Sequence, residues 1–497
     1  MSATTDQTGG ERDSADLAQF GYRQELKRSL GIFSSFAVAF SYISPSTGIF
    51  TLFSLGLITF GGAFIWTWPV VALGQFIIAM NFAEVSSHYP IAGSVFQWTK
   101  YLAGRSYAWF AGWIYLFAGI LTVTAVVATL PLALVPALEG LGWKSLQLTL
   151  HTELVFALIN NTGVVFEILG MFVFALILMA FHNHQGFHVV NNTAGMHITF
   201  LTGNNSFVIA MFMSLFVIYG FDTASTLAEE TRDPRRNAPK AVLYSIVGAF
   251  IIGGVFLLGT LMAIPNLKKA VAGAYGPAQI IEANFSAPFA TLYLFVVSAA
   301  IFVCCLSIMA ATIRLCFGMS RDNQLPFSKP LSRVAPSLHT PVWACITVAV
   351  LSAIPFIQFS GAATIAIAAT AMIYFSYFLG NIAILRARLK GWPKTRAPFK
   401  LGRWGLLINS LGLLYGGLML VNFAWPRAQS NPEPNQTVVG GVQLLNFHIG
   451  FLNKIPILWT VFVVIALIGV IYYAAAGNRK ELAPVQAPAG DDAPLRV

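Results

Sequence analysis

Two apolar stretches of this chain are interrupted near their middle by residues that a helix in lipid tolerates badly. They are Ser44-Pro45-Ser46-Thr47-Gly48 and Tyr219-Gly220-Phe221-Asp222-Thr223. A continuous helix satisfies its own amides and carbonyls inside a bilayer, so a break leaves groups that a ligand, an ion, water or neighbouring protein must meet. Breaks at matching places in two halves of a chain point to a binding site between them, of the kind that carries a substrate across a membrane.

The surrounding composition agrees. With 57% hydrophobic and only 10% charged residues over 497 positions, the chain lacks the polar surface of a soluble protein. The class expected is an all-α polytopic membrane protein. A span needs about 20 apolar residues to cross roughly 30 Å of hydrocarbon. On that criterion spans fall near residues 31 to 57, 63 to 84, 106 to 131, 164 to 181, 205 to 228, 239 to 264, 288 to 315, 341 to 358, 361 to 385, 404 to 426 and 454 to 476. A further candidate, Leu146 to Ile159, is short for a crossing.

Charge decides whether that segment counts, because short cytoplasmic loops carry the excess of Lys and Arg. If it crosses, all but five of the 29 basic residues (Lys144, Lys268, Lys269, Arg427 and Lys454) fall on one side. The expectation is therefore about 12 transmembrane helices with both termini cytoplasmic, residues 146 to 181 being cramped for two of them. Residues 1–30 form a polar cytoplasmic tail rather than a secretory leader, residues 31–476 the transmembrane domain, and residues 477–497 a Pro/Ala-rich, disordered cytoplasmic tail. The net charge of +10 reads as topogenic, with some attraction to anionic lipid and no nucleic acid partner. Cys304, Cys305, Cys316 and Cys345 read as small apolar fillers. No cofactor or metal ligand set is expected; His182, His184, His188 and His197 crowd one loop without the spacing of a ligand pair.

The breaks have chemistry of their own. A half-helix starting near Gly48 offers amides and the positive end of its dipole to a carboxylate. Gly48 admits close approach, Ser44, Ser46 and Thr47 add hydroxyls, and Pro45 forbids a straight helix. In the second break Gly220 frees the backbone between Tyr219 and Phe221, which could close over an ammonium group. Asp222 costs roughly 2.5 to 3.5 kcal/mol at mid-span and so needs a partner or a function. It either contacts substrate or a proton, or caps the helix that begins at Thr223. Glu167, in the fifth span, is either a proton or ion site or an interfacial residue. Glu84, Glu229 and Glu230 lie within reach of Arg232, Arg235, Arg236, Arg314 and Arg321, as loop-stabilising or gating ion pairs. Trp66, Trp68, Trp109, Trp113 and Trp143 read as interfacial belt or helix packing, and Gly412 with Gly416 as a close helix contact that could mark dimerisation.

Several ordered stretches resemble the amino acid, polyamine and organocation (APC) permeases, in the branch of GABA and choline permeases. They are Gln24-Glu25-Leu26-Lys27-Arg28, Ser41-Tyr42-Ile43-Ser44-Pro45 with Gly48-Ile49-Phe50, Ala83-Glu84-Val85, and Tyr89-Pro90-Ile91-Ala92-Gly93 to Trp98. Beyond them come Tyr219 to Thr223, Ala228 to Arg236 with Pro239, Arg314, Ser320-Arg321-Asp322, Leu325-Pro326-Phe327-Ser328 and Thr340-Pro341-Val342. The resemblance runs nearly end to end. It implies two inverted five-helix repeats with discontinuous helices 1 and 6 around the substrate, followed by two peripheral helices. Relatives have a full-length fourth span, whereas here helix 4 is short or incomplete. The position of Glu167 is where some relatives hold a lysine in place of sodium.

Together these readings give secondary active transport of an amino acid, GABA, choline or a polyamine across the plasma membrane. Coupling would be to a proton or sodium ion, as symporter or antiporter, by alternating access. The substrate-binding set is Ser44 to Gly48 and Tyr219 to Thr223, and the coupling residues are Glu167 and Asp222. The alternative is a non-transporting sensor on the same fold. An embedded enzyme is not expected, since no Gly-x-Ser-x-Gly, His-Glu-x-x-His or phosphate loop occurs.

Overall fold

The computed structural model describes residues 13–26, 28–141, 163–201, 205–335, 340–357, 362–425 and 457–477. Among these residues the secondary structure is helical, with three isolated β-bridges. Every one of the eleven full-length apolar stretches holds a helix. The short candidate Leu146 to Ile159, and with it the question of an incomplete fourth span, lies outside the described residues, as does Trp143. Six described helices or helix runs are long and apolar enough to cross a membrane, and shorter apolar helices accompany them.

The first span is two helices, Ile32–Ile43 and Pro45–Phe60. The second is Thr67–His88 and the third Arg105–Thr129. Gly163–Phe181 forms the fifth. The sixth is again divided, into Phe207–Val217 and the short turn Thr223–Thr226. Pro234–Met262, Ala287–Arg321, Val342–Ala353, Ala362–Leu389, Gly405–Ala424 and Ile457–Gly477 complete the series as spans seven to twelve.

Packing brings the two divided spans together. Phe207–Val217 lies along Pro45–Phe60, while the tenth span runs beside the third and the eighth touches the third and both halves of the first. Gly48 makes the first approach possible, because a Cβ there would sit 2.5 Å from Val217 Cγ2. Trp68, Trp109 and Trp113 are buried packing residues and Trp66 is half exposed.

The last two spans sit at the edge. Leu407, Leu411, Leu414 and Leu418 recur at three- and four-residue steps on one exposed face of Gly405–Ala424, the pattern of a helix turned toward lipid. Its glycines face the other way. A Cβ on Gly412 would meet Asn81 and Asn381, and one on Gly416 would meet Phe378. The glycine pair thus makes a close helix contact within the chain.

Candidate functional site

At the first break the helix stops and restarts over a single residue. Ser44 adopts a left-handed conformation (φ 34°, ψ 83°), and Pro45 occupies the first position of the next helix, where its missing amide costs no hydrogen bond. Ser44 Oγ accepts from the Thr47 amide (3.4 Å) and lies 2.6 Å from Thr47 Oγ1 and 3.2 Å from Ser46 Oγ. The break is therefore tighter than the five residues whose composition marked it. Ser44, Pro45 and Ser46 build the corner, and Thr47 and Gly48 come to its inner face.

The second break is longer, with residues 218 to 222 outside helix. Gly220 takes φ +85°, and a Cβ there would fall 1.9 Å from a Tyr42 ring carbon. Only glycine combines that backbone with so close an approach. Tyr42 and Tyr219 meet edge to face at 6.2 Å.

Between the breaks lies a small cavity lined by Tyr42, Ile43, Thr47, Gly48, Thr122, Val126, Phe216, Tyr219, Cys304 and Ile308. Thr47, Gly48 and Tyr219 are the expected site residues on its wall. Phe221 instead packs against Phe82 and Tyr377, and Thr223 opens the short helix after the break. Thr122 and Ile308, from the third and eighth spans, were not singled out in the sequence, and Cys304, read there as an apolar filler, lies on the cavity wall.

Asp222 is fully buried and held by three hydroxyls. Ser94 donates to Oδ2 at 2.5 Å, Tyr377 to Oδ1 at 2.5 Å, and Tyr115 also to Oδ2. Tyr377 in turn accepts the Gly220 amide at 3.0 Å. Ser94 sits at φ 42° beside Gly93 at φ 109°, an uncommon backbone for a serine. The Asp222 side chain does not cap the helix that follows, so its carboxylate belongs to the tyrosine-serine cage, not to the helix terminus. Glu167 lies on the fifth-span helix, and its side chain is outside what is described.

One end of the bundle is closed by charge. Arg321 grips Glu229 through two hydrogen bonds (2.7 and 3.0 Å), and Arg314 grips Glu230 at 2.8 and 3.3 Å. Glu84 is paired as well, but with Arg388 of the tenth span, outside the set of arginines expected for it. Residues 13–26 and 28–31 cross over this end. Tyr22 donates to Asp322 at 2.8 Å, receives a hydrogen bond from Lys100 at 2.8 Å, and lies under the Arg321 guanidinium at 4.0 Å. Lys100 also meets Asp322 at 2.6 Å. Burial pushes the Lys100 ammonium below its ordinary value, opposed by Asp322, and drives the Tyr22 phenol far up. Leu30 pairs with Thr231 in a parallel bridge, with Ser29 and Leu30 amides donating to the Glu230 carbonyl. Elsewhere His184 bonds Asn284 at 2.8 Å and His182 rests on Phe285.

Residues 30–445 match the family model described as amino acid permease. The chain is 27% identical over 498 residues to the amino-acid permease BAT1 homolog of Oryza sativa, covering 88% of this chain and 93% of that one. It is 28% identical to the amino-acid permease BAT1 of Arabidopsis thaliana, covering 83% and 88%. The GABA-specific permease of Saccharomyces cerevisiae is 26% identical over 69% of this chain and 65% of its own length.

Proposed function

The chain belongs to the amino acid permease family, a multi-pass membrane protein for amino acid transport, and we propose that it works by alternating access around the cavity between its two divided spans. The observation that carries this is the meeting of both breaks over one small cavity. The half-helix starting at Pro45 turns its positive end toward a substrate carboxylate there. Backbone carbonyls of Ile218 and Tyr219, outside helix, receive the ammonium group.

Asp222 serves as the proton-responsive element beside that cavity, not as its floor. Its cage joins the sixth span to the loop before the third, to the third itself and to the tenth. Gaining or losing a proton there would loosen or tighten all four elements together. The closed end, with Arg321, Glu229 and Tyr22, is the cytoplasmic gate, on the basic side where short loops face the cytosol. On this reading both termini lie in the cytoplasm, and the protein is a plasma membrane carrier driven by a proton gradient. GABA, the substrate in the name of the yeast relative, fits the same carboxylate and ammonium contacts.

The test is uptake of labelled amino acid into proteoliposomes with and without an imposed pH gradient, for the native chain and Asp222→Asn. Gradient-driven uptake that Asp222→Asn abolishes, with thermal unfolding preserved, is the expected result. Uptake indifferent to both the gradient and the substitution would remove the coupling role, and binding without flux would mark a sensor.

A further inference from the structure

We propose that the cavity selects amino acids bearing one carboxylate, one ammonium group and a small uncharged remainder, and rejects lysine, arginine, glutamate and polyamines. This rests on the reading of the cavity as the substrate site and names the class of substrate it takes.

No Asp, Glu, Lys, Arg or His is among the ten residues of the wall. The carboxylate of this region, Asp222, is absent from the wall and enclosed by Ser94, Tyr115 and Tyr377. Polar atoms of the wall are turned to one another. Tyr219 donates to Thr122 at 3.3 Å, Thr122 donates to the Ala118 carbonyl at 2.8 Å, and Thr47 Oγ1 lies 2.6 Å from Ser44 Oγ. A third charge brought here by a substrate would lose its water and find no counter-charge, an arrangement that protein interiors avoid. The two charges of a zwitterion have a different fate, because the positive end of the half-helix that begins at Pro45, with Thr47 and Gly48 on the wall, favours the carboxylate, and the non-helical backbone at residues 218 and 219 offers carbonyls to the ammonium group.

Size is restricted too. Gly48 and Gly220 already bring backbone against Val217 and the Tyr42 ring, with no room for a methyl group at either glycine. What remains of the wall is Ile43, Val126, Phe216 and Ile308, all apolar, and Cys304, whose thiol is turned to the Tyr42 carbonyl at 3.5 Å. A methyl, hydroxymethyl or short alkyl side chain suits that surface.

The experiment is competition against labelled L-alanine uptake in proteoliposomes of the full chain, with unlabelled L-serine, L-lysine, L-arginine, L-glutamate and putrescine. L-Serine in hundredfold excess should suppress the signal by roughly tenfold or more, and the other four should change it by less than about twofold. Competition by any of those four as strong as that of serine overturns the selectivity. Ile308→Trp and Ile308→Ala separate this from the site reading. The first should block alanine uptake and the second should raise acceptance of leucine. Native uptake and selectivity in both variants, with Thr122→Asp equally silent toward lysine, would overturn the cavity as the substrate site whatever the competition panel gives.

Discussion

The Tyr377 hydroxyl stands between Asp222 and Gly220, donating to the carboxylate at 2.5 Å and accepting the amide at 3.0 Å. One atom thereby fixes both the buried acid of the sixth span and the frayed backbone beside it. Tyr377→Phe removes both contacts while keeping the ring that packs on Phe82 and Phe221. A hydrogen bond to a charged group is worth roughly 1.5–3 kcal/mol. Uptake should fall by tenfold or so with its pH profile displaced, while helical content by circular dichroism is unchanged. An unaltered pH profile would detach Tyr377 from coupling.

Gly48→Ala should impair the protein through a single neighbour. Its added methyl meets Val217 Cγ2 at 2.5 Å, and overpacking of this kind costs typically about 1–3 kcal/mol. Val217→Ala in the same chain opens that space, so the double variant should regain much of the thermal stability lost by the first, as a positive coupling in a double-mutant cycle. Strictly additive losses would show that the two spans do not press on each other at this point.

Gly220→Ala has no such remedy. The position needs φ +85° as well as room against Tyr42, and a left-handed non-glycine residue alone costs on the order of 1–3 kcal/mol. Trimming Tyr42 to Leu should relieve the clash but not the backbone strain, leaving the pair below native stability in a detergent melt. Full recovery would mean that contact, and not conformation, dictates glycine here.

Arg321→Ala leaves Glu229 buried without its cation, a loss of roughly 3–5 kcal/mol for a buried pair. The gate should open more often. Cys304, on the cavity wall and 1% exposed, reports this directly. In a background with Cys305→Ser, Cys316→Ser and Cys345→Ser, its reaction with a cytoplasmic thiol reagent should accelerate by at least about tenfold, equivalent to 1.4 kcal/mol. Equal labelling rates in native and variant protein would rule out Arg321 as a gate element.

Much of this arrangement is legible in the chain itself, for reasons that differ from residue to residue. Apolar runs reveal spans because lipid forbids most alternatives. Pro45 and Gly220 reveal breaks because few backbones accept them. The extent of the first break was not legible, since Pro45 both ends one helix and starts the next. Ser94, Tyr115 and Tyr377 were also hidden, lying 128, 107 and 155 positions from Asp222. A tyrosine within an apolar run looks like packing until its neighbours are known. Arg388, 304 positions from Glu84, escaped notice for the same reason, while Arg321 and Arg314 were nearer the loops that share their charge.

The bridge between Leu30 and Thr231 lies just before Ile32–Ile43 and just after the turn that ends at Glu230. Because it is made of peptide groups, side-chain substitution cannot easily cut it. The ends of both divided spans on the side closed by Arg321 and Glu229 are consequently yoked, so that a tilt of either one carries the other along.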